Sequence, residues 1–296
     1  MKEIQTDIIR TDKLLLQEAK KAQVEISILR LDRIHPFISG NKWFKLRYYL
    51  EEARQQDKRR IVTWGGAWSN HILATASACQ LNCFACTGII RGEKPGEFSA
   101  ILQETVKMGM QLEFINREDY ANKKIPASCN GDENYFIPEG GYATKGAKGA
   151  SCILDHCTKE EFTHICCAAG TGTMTAGLMN AALSSQRITA ISVLKNNRAL
   201  ENDTRQLLTD KDQSADFIHD FHFGGYAKHD SSLLDFMNDF FNRTGVPTDF
   251  VYTGKLCYAV CHLCQDNFFQ PGSRLLIIHS GGLAGNGSLK KGTLIF

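Results

Sequence analysis

Lys42 and Lys45 sit in SGNKWFKLRYYL, from Ser39 to Leu50. A lysine that forms a Schiff base must be neutral for part of the time. Lys45 lies beside Lys42 if the segment is helical, and a second ammonium together with partial burial lowers a lysine pKa. On spacing alone the segment also reads as a solvated helix start capped by Ser39 or Asn41. WGGAWSNH, from Trp64 to His71, puts a hydroxyl at Ser69 and an amide at Asn70 in a strand-to-helix turn. Helix capping is the simpler use of both. In AAGTGTMTAG the run Gly170–Thr171–Gly172–Thr173 offers backbone N–H groups and hydroxyls suited to a phosphate. It lacks the lysine of a nucleotide P-loop, and a dinucleotide fingerprint would need glycine at Thr175. A mononucleotide-like phosphate ester is therefore favoured over NAD or ATP, with a plain tight turn as the simpler alternative. Tyr226 in FHFGGYAK and Tyr252 with Thr253 in FVYTGK bring phenols that can move a proton when tuned. Buried tyrosines are more often core residues with a bonded hydroxyl.

Cysteine supplies another pattern. Cys257, Cys261 and Cys264 have C-x3-C-x2-C spacing around His262. Three thiolates can ligate an iron–sulfur cluster. Offsets of i, i+4 and i+7 instead put all three on one helix face, where they are expected as core, and no metal is expected. Cys83 and Cys86 form a lone C-x2-C in an apparent strand, a weak pattern for a redox or zinc site. The 11 cysteines are odd in number and mostly lie in apolar stretches. Reduced, buried thiols are expected, not a disulfide framework.

Strands and helices must position these groups. Short apolar runs recur at ISILRL, RIVTW, CFACTGII, QLEFIN, ENYFIP, THICCAA, ITAISVL and RLLIIHS. Helical patterns lie at LRYYLEEARQQ, HILATASACQ, AGLMNAALSS, SSLLDFMNDFFNRTG and KLCYAVCHLCQ. Their alternation predicts an α/β fold with largely parallel sheets. Three strands end in glycine-rich turns that open helices, so one composite site fed from several strand ends is expected. The chain has 296 residues, 43% hydrophobic and 22% charged, with a net charge of +2. Neither nucleic acid nor a membrane surface is expected as a partner. The N-terminus is too charged for a signal peptide, and no run of 18 apolar residues appears, so a cytoplasmic location is expected.

In order, SGNKWFKL, GGAWSNH, IPEGGYATKGAKG, AAGTGTMTAG, FGGYAK, VYTGK and IIHSGGLAG resemble the motifs of one family. It is the D-cysteine desulfhydrase and 1-aminocyclopropane-1-carboxylate (ACC) deaminase family of pyridoxal-phosphate (PLP) lyases. The resemblance runs from about Leu29 to the end. It implies fold type II, the two-domain, three-layer architecture of the tryptophan synthase β-subunit. A large PLP-binding domain would comprise 1–51 and 151–296, and a small domain 52–150. A homodimer acting on a small amino acid is also implied. Lys42 is similar to the Schiff-base lysine, and Lys45 to the second lysine near the cofactor. Asn70 matches the asparagine that bonds the PLP 3′-oxygen. Ser69, Asn70 and His71 would bind the substrate carboxylate. Thr171, Gly172, Thr173 and Met174 resemble the phosphate loop, and Tyr226 and Tyr252 the two active-site tyrosines. Lys42, Lys45 or a tyrosine would take the α-proton, and a tyrosine would protonate the leaving thiolate.

Substrate choice turns on Thr253 and Ser280. Family members that open the ACC ring carry glutamate and leucine there, whereas desulfhydrase-type members carry threonine at both. A glutamate beside the pyridine nitrogen keeps it protonated and makes the ring a strong electron sink. A hydroxyl leaves it mostly neutral, which suits β-elimination of a good leaving group. D-cysteine is therefore the expected substrate, with ACC as the alternative and a non-catalytic PLP-fold binding protein as the third reading. Two departures bear on the pocket. Trp68 replaces a common glutamine, so its indole is expected to narrow the pocket or stack on the substrate. Phe44 replaces a common arginine.

Overall fold

The computed structural model describes residues 4–38 and 40–296; Ser39, one of the two candidate caps, lies outside the described residues. The strands are β1 Thr11–Leu14, β2 Glu25–Arg30, β3 Arg60–Gly65, β4 Ala85–Arg91, β5 Met110–Ile115, β6 Asn134–Ile137, β7 His164–Ala169, β8 Arg187–Ser192, β9 Asp216–Ile218 and β10 Arg274–His279. The α-helices are α1 Gln17–Lys21, α2 Asn41–Gln55, α3 Asn70–Asn82, α4 Ala100–Lys107, α5 Arg117–Ala121, α6 Thr144–Ser151, α7 Thr173–Ala181, α8 Leu200–Gln206, α9 Ser231–Thr244 and α10 Thr253–Gln265.

These strands build a six-stranded sheet in the order β1-β2-β10-β7-β8-β9 and a four-stranded sheet in the order β5-β4-β3-β6. Pairing is antiparallel between β1 and β2 and parallel elsewhere. The central strands are continuous apolar runs: HICCAA of β7 and RLLIIH of β10 are buried along nearly their whole length. Such runs are what a parallel sheet covered on both faces requires. The largely parallel α/β architecture expected from the sequence is present as two sheets. Two strands escape the sequence pattern. TDKL (β1) alternates charge with apolar residues, and DFI (β9) has three residues. Both are edge strands, where half the backbone has no ladder partner and the pattern weakens. The CFACTGII run begins as strand only at Ala85, because Cys83 is the left-handed C-cap of α3, with φ 59°.

Cys257, Cys261 and Cys264 are buried on α10 in a cluster with Ile26, Ile28 and Leu275. Among the described residues no three His, Cys, Asp or Glu are grouped to hold a metal. All the cysteines are free; Cys83 is exposed, and Cys152 and Cys157 are half-buried. Among the described residues no helix is long and apolar enough to cross a membrane.

Two close approaches place α2. Gly40 precedes the helix with φ 64°, and a Cβ there would lie 1.8 Å from the Ser280 carbonyl oxygen. Its N–H donates to the Leu31 carbonyl (2.9 Å), and the Asn41 N–H donates to that of Ser280 (3.2 Å). The start of α2 is thereby tied to the loop after β10. At Gly149 on α6, a Cβ would lie 1.8 Å from the Phe44 carbonyl oxygen. Gly149→Ala must push α6 away from α2, and should cost at least the 1–3 kcal/mol or so of an overpacked core. A urea denaturation midpoint equal to wild type would show that the two helices have slack.

Candidate functional site

A cavity of about 470 Å³ lies beyond the carboxyl ends of strands from both sheets. The loops after β3, β7 and β10 contribute Trp68–His71, Gly170–Gly172 and Ser280–Gly282 to its wall, and α2 contributes Asn41, Lys42 and Lys45. The crevice past parallel strand ends is where α/β sheets bind ligands, since helix N-termini and loop amides converge there.

Lys42 Nζ donates to Asn41 Oδ1 (2.8 Å) and lies 5.8 Å from the centroid of the Tyr252 ring. Burial lowers its pKa to about 8, against the opposing charge of Asp249. Lys45 is 5% exposed. Burial, and then the charge on Lys42, push its pKa well down. The two-lysine arrangement expected from spacing is present and turned inward.

On the opposite wall, Ser69 caps α3, its Oγ accepting from the N–H groups of His71 (3.2 Å) and Ile72 (3.4 Å). Asn70 Nδ2 reaches the Gly282 carbonyl at 3.4 Å, which ties the β3 loop to the β10 loop. His71 differs from expectation. Its Nε2 meets Thr63 Oγ1 at 2.8 Å, and that hydroxyl donates its one hydrogen to the Ile137 carbonyl. The imidazole must therefore carry its hydrogen on Nε2. Burial, and then Lys42 and Lys45, lower its pKa to about 3, so the ring is neutral. Nδ1 is buried and has no hydrogen-bond partner among the described residues. That enclosed nitrogen is an acceptor. With its N–H already on Ser69, His71 has no hydrogen to offer a carboxylate, which corrects its expected role.

Thr171, Gly172 and Met174 line the cavity. Thr173 is fully buried beside it and pairs its hydroxyl with that of Thr171 (2.9 Å). Gly172 is the N-cap of α7, with φ 76°. Asn41 Nδ2 approaches Met174 Sδ at 3.2 Å, joining this loop to the lysine helix.

Tyr226 and Tyr252 meet edge-on, with centroids 6.2 Å apart and planes at 72°. Burial raises both phenols; the hydrogen bond between them opposes the rise at Tyr226 and adds to it at Tyr252. Thr253 is not at the wall. Its Oγ1 donates to Asp249 Oδ1 (2.7 Å) and accepts the Asp249 N–H (2.7 Å). Asp249 also receives the N–H groups of Val251, Tyr252 and Thr253, so it caps α10. Thr253 is thus a capping partner and not a cofactor contact. Ser280 does line the cavity. Trp68 lies at the rim, 37% exposed. Phe44 is remote, buried edge-on against His156.

Arg91, Glu139 and Asp249 were not singled out from sequence. Arg91 and Glu139 line the cavity. Arg91 ends an apolar parallel strand, a position that points towards a site. Asp249 lies four residues before Thr253, outside the N-cap position of α10, so no local spacing rule points to it.

No family model matches the chain. A bifunctional D-cysteine desulfhydrase/ACC deaminase of Arabidopsis thaliana is 29% identical, the match covering 88% of this chain and 73% of that one. A putative ACC deaminase of Pyrococcus horikoshii is 26% identical over 90% of this chain and 87% of its own. The crystal structure of an ACC deaminase homologue superposes with a TM-score of 0.81 at 24% identity, covering 94% of this chain and 90% of that one. Over most of its length the chain is thus similar to the D-cysteine desulfhydrases and ACC deaminases, and it shares their fold. A hydrogen sulfide-producing enzyme from Fusobacterium nucleatum shares the fold, with a TM-score of 0.68 at 14% identity, covering 95% and 97% of the two chains.

The buried lysines cost stability when no ligand is bound. The folded pKa of Lys42, about 8, lies below the ordinary 10.5. Below about pH 8 both states are protonated and the folded chain carries the full penalty. Between about pH 8 and 10.5 the unfolded chain binds more protons, so wild-type stability rises. Lys42→Met should therefore stabilise ligand-free protein at pH 7 by on the order of 2 kcal/mol, the lost bond to Asn41 offsetting part of the gain. The advantage should vanish as pH nears 10.5. Paired urea titrations across this range test it, and a pH-independent difference would overturn it.

Proposed function

We propose that the chain is a PLP-dependent lyase that eliminates the β-thiol of a small amino acid. With D-cysteine and water the products are pyruvate, ammonia and hydrogen sulfide. The observation that carries this reading is the cavity wall itself: two inward lysines face a site whose single acidic lining residue, Glu139, is paired with Lys123 at 2.8 Å. The wall at Ser280 carries a hydroxyl and no acid.

The residues present fit PLP. Lys42, partly neutral near pH 8, would hold the aldehyde carbon. The Gly170–Thr173 turn at the start of α7 supplies amides and hydroxyls for a phosphate. Asn70 would meet the ring oxygen. With Thr253 committed to Asp249, Ser280 remains the hydroxyl for the ring nitrogen. When bound, PLP withdraws electrons from the substrate α-carbon.

The chain's own groups do the rest. Ser69 keeps its hydroxyl hydrogen for the substrate carboxylate at the α3 N-terminus, where the helix dipole adds attraction. Lys42 Nζ takes the α-proton. Burial, and then the charge on Lys42, disfavour the charged form of Lys45 beside it. Tyr226, whose ionisation the bond from Tyr252 favours, donates to the departing sulfur. Trp68 narrows the mouth. A serine beside the ring nitrogen supports elimination of a ready leaving group over opening of a cyclopropane, which has none.

The ACC deaminase names among the relatives favour a second reading, hydrolytic ring opening to 2-oxobutanoate and ammonia. Purified protein should be yellow, lose that colour on borohydride reduction, and carry the reduced label on Lys42. It should release sulfide and pyruvate from D-cysteine, and Lys42→Ala should abolish turnover. 2-Oxobutanoate from ACC without sulfide from D-cysteine would select the second reading. A colourless protein that PLP cannot reconstitute would sink both.

A further inference from the structure

Lys255 is a fully buried cation on α10, three residues beyond Tyr252. Its Nζ donates to the carbonyls of His222 (2.8 Å) and Gly225 (2.7 Å). Those carbonyls belong to the turn that presents Tyr226. The turn has an unusual backbone: φ is 51° at Phe223, 87° at Gly224, 118° at Gly225 and 53° at Ala227. Phe223 and Ala227 are not glycines, so the left-handed region is disfavoured at both. Internal support consists of the Gly224 N–H on His222 Nδ1 (2.9 Å), the Gly225 N–H on the His222 carbonyl (2.9 Å) and the Lys228 N–H on the Gly225 carbonyl (3.2 Å). From outside, Phe223 packs edge-on against Tyr258, and the ammonium supplies a charged anchor to the turn's backbone. Charge-assisted bonds are stronger than neutral ones, and a buried carbonyl left without its donor is costly. Asp249, which caps the same helix, favours the charged form that burial opposes.

We propose that Lys255 is a positioning residue for Tyr226: from α10 its ammonium latches the His222–Gly225 turn and so holds the Tyr226 phenol against Tyr252 at the cavity. One helix start then places both phenols, Tyr252 directly and Tyr226 through the latch. The inference rests on the reading of Tyr226 as part of the reacting site, but the latch has a readout independent of turnover.

Hydrogen exchange over 222–228 in Lys255→Met, with α9 as internal control, reads the latch. Exchange there should quicken by about tenfold or more while α9 is unchanged. Turnover of D-cysteine by the PLP-loaded enzyme reads the consequence. Lys255→Met should lower kcat/KM about tenfold in the wild-type background and less than twofold in Tyr226→Phe, because a residue acting through Tyr226 has nothing left to position. Unchanged exchange over 222–228, or equal losses in both backgrounds, would overturn the proposal. If Lys255→Met does not fold, Lys255→Gln keeps N–H donors on a shorter arm. It should show intermediate exchange and rate, and wild-type values for both would overturn the latch. Wild-type protein inactive on D-cysteine and ACC would refute the proposed activity alone; the exchange comparison would still decide the latch.

Discussion

Burying two ammonium groups side by side is the constraint around which the rest of the site is arranged. A charge moved out of water is expensive unless paired, and when it is not paired its pKa shifts instead. Lys42 has an amide oxygen as its hydrogen-bond partner. Burial, reinforced by the same pair, holds His71 neutral. A wall built around basic groups that give up their protons easily is suited to proton abstraction and to amine chemistry. It is poorly suited to holding a free anion unless donors from another element are brought to it.

Those donors come from the strand-end loops, and Asp249 organises one group of them from behind. Its carboxylate gathers three backbone N–H groups and the Thr253 hydroxyl, fixing where α10 begins. Tyr252 sits at that start and faces the cavity. Asp249 also acts on Lys42 through its charge without lining the pocket. Electrostatic influence and contact are thus separated, and a residue one layer back tunes the group that would react.

Much of this was legible in the sequence. Every strand inferred from an apolar run is present; the central ones were legible because a strand covered on both faces has to be apolar at successive positions. The edge strands β1 and β9 were hidden because one alternates charge with apolar residues and the other has three residues. Lys42, Ser69, Asn70, Tyr226 and Tyr252 were found as an ordered set and converge on one cavity. Thr253 and His71 show where residue type stops short. A hydroxyl or an imidazole announces its chemistry, but its partner is decided by three-dimensional packing. Asp249 took the first and Thr63 the second. Asp249 itself is silent in isolation, since a buried carboxylate and a solvated one look alike in a sequence.

The cavity's mouth has a corollary for specificity. Trp68 stands past the end of β3 at Gly65, and Ser280 past the end of β10 at His279. Neither side chain belongs to a sheet ladder. Each can be exchanged with little disturbance to strand register or to the apolar layers beneath. Change at these two positions reshapes the cavity wall while the lysines of α2 stay where they are. The specificity of the wall and the stability of the sheets are therefore set by largely separate residues.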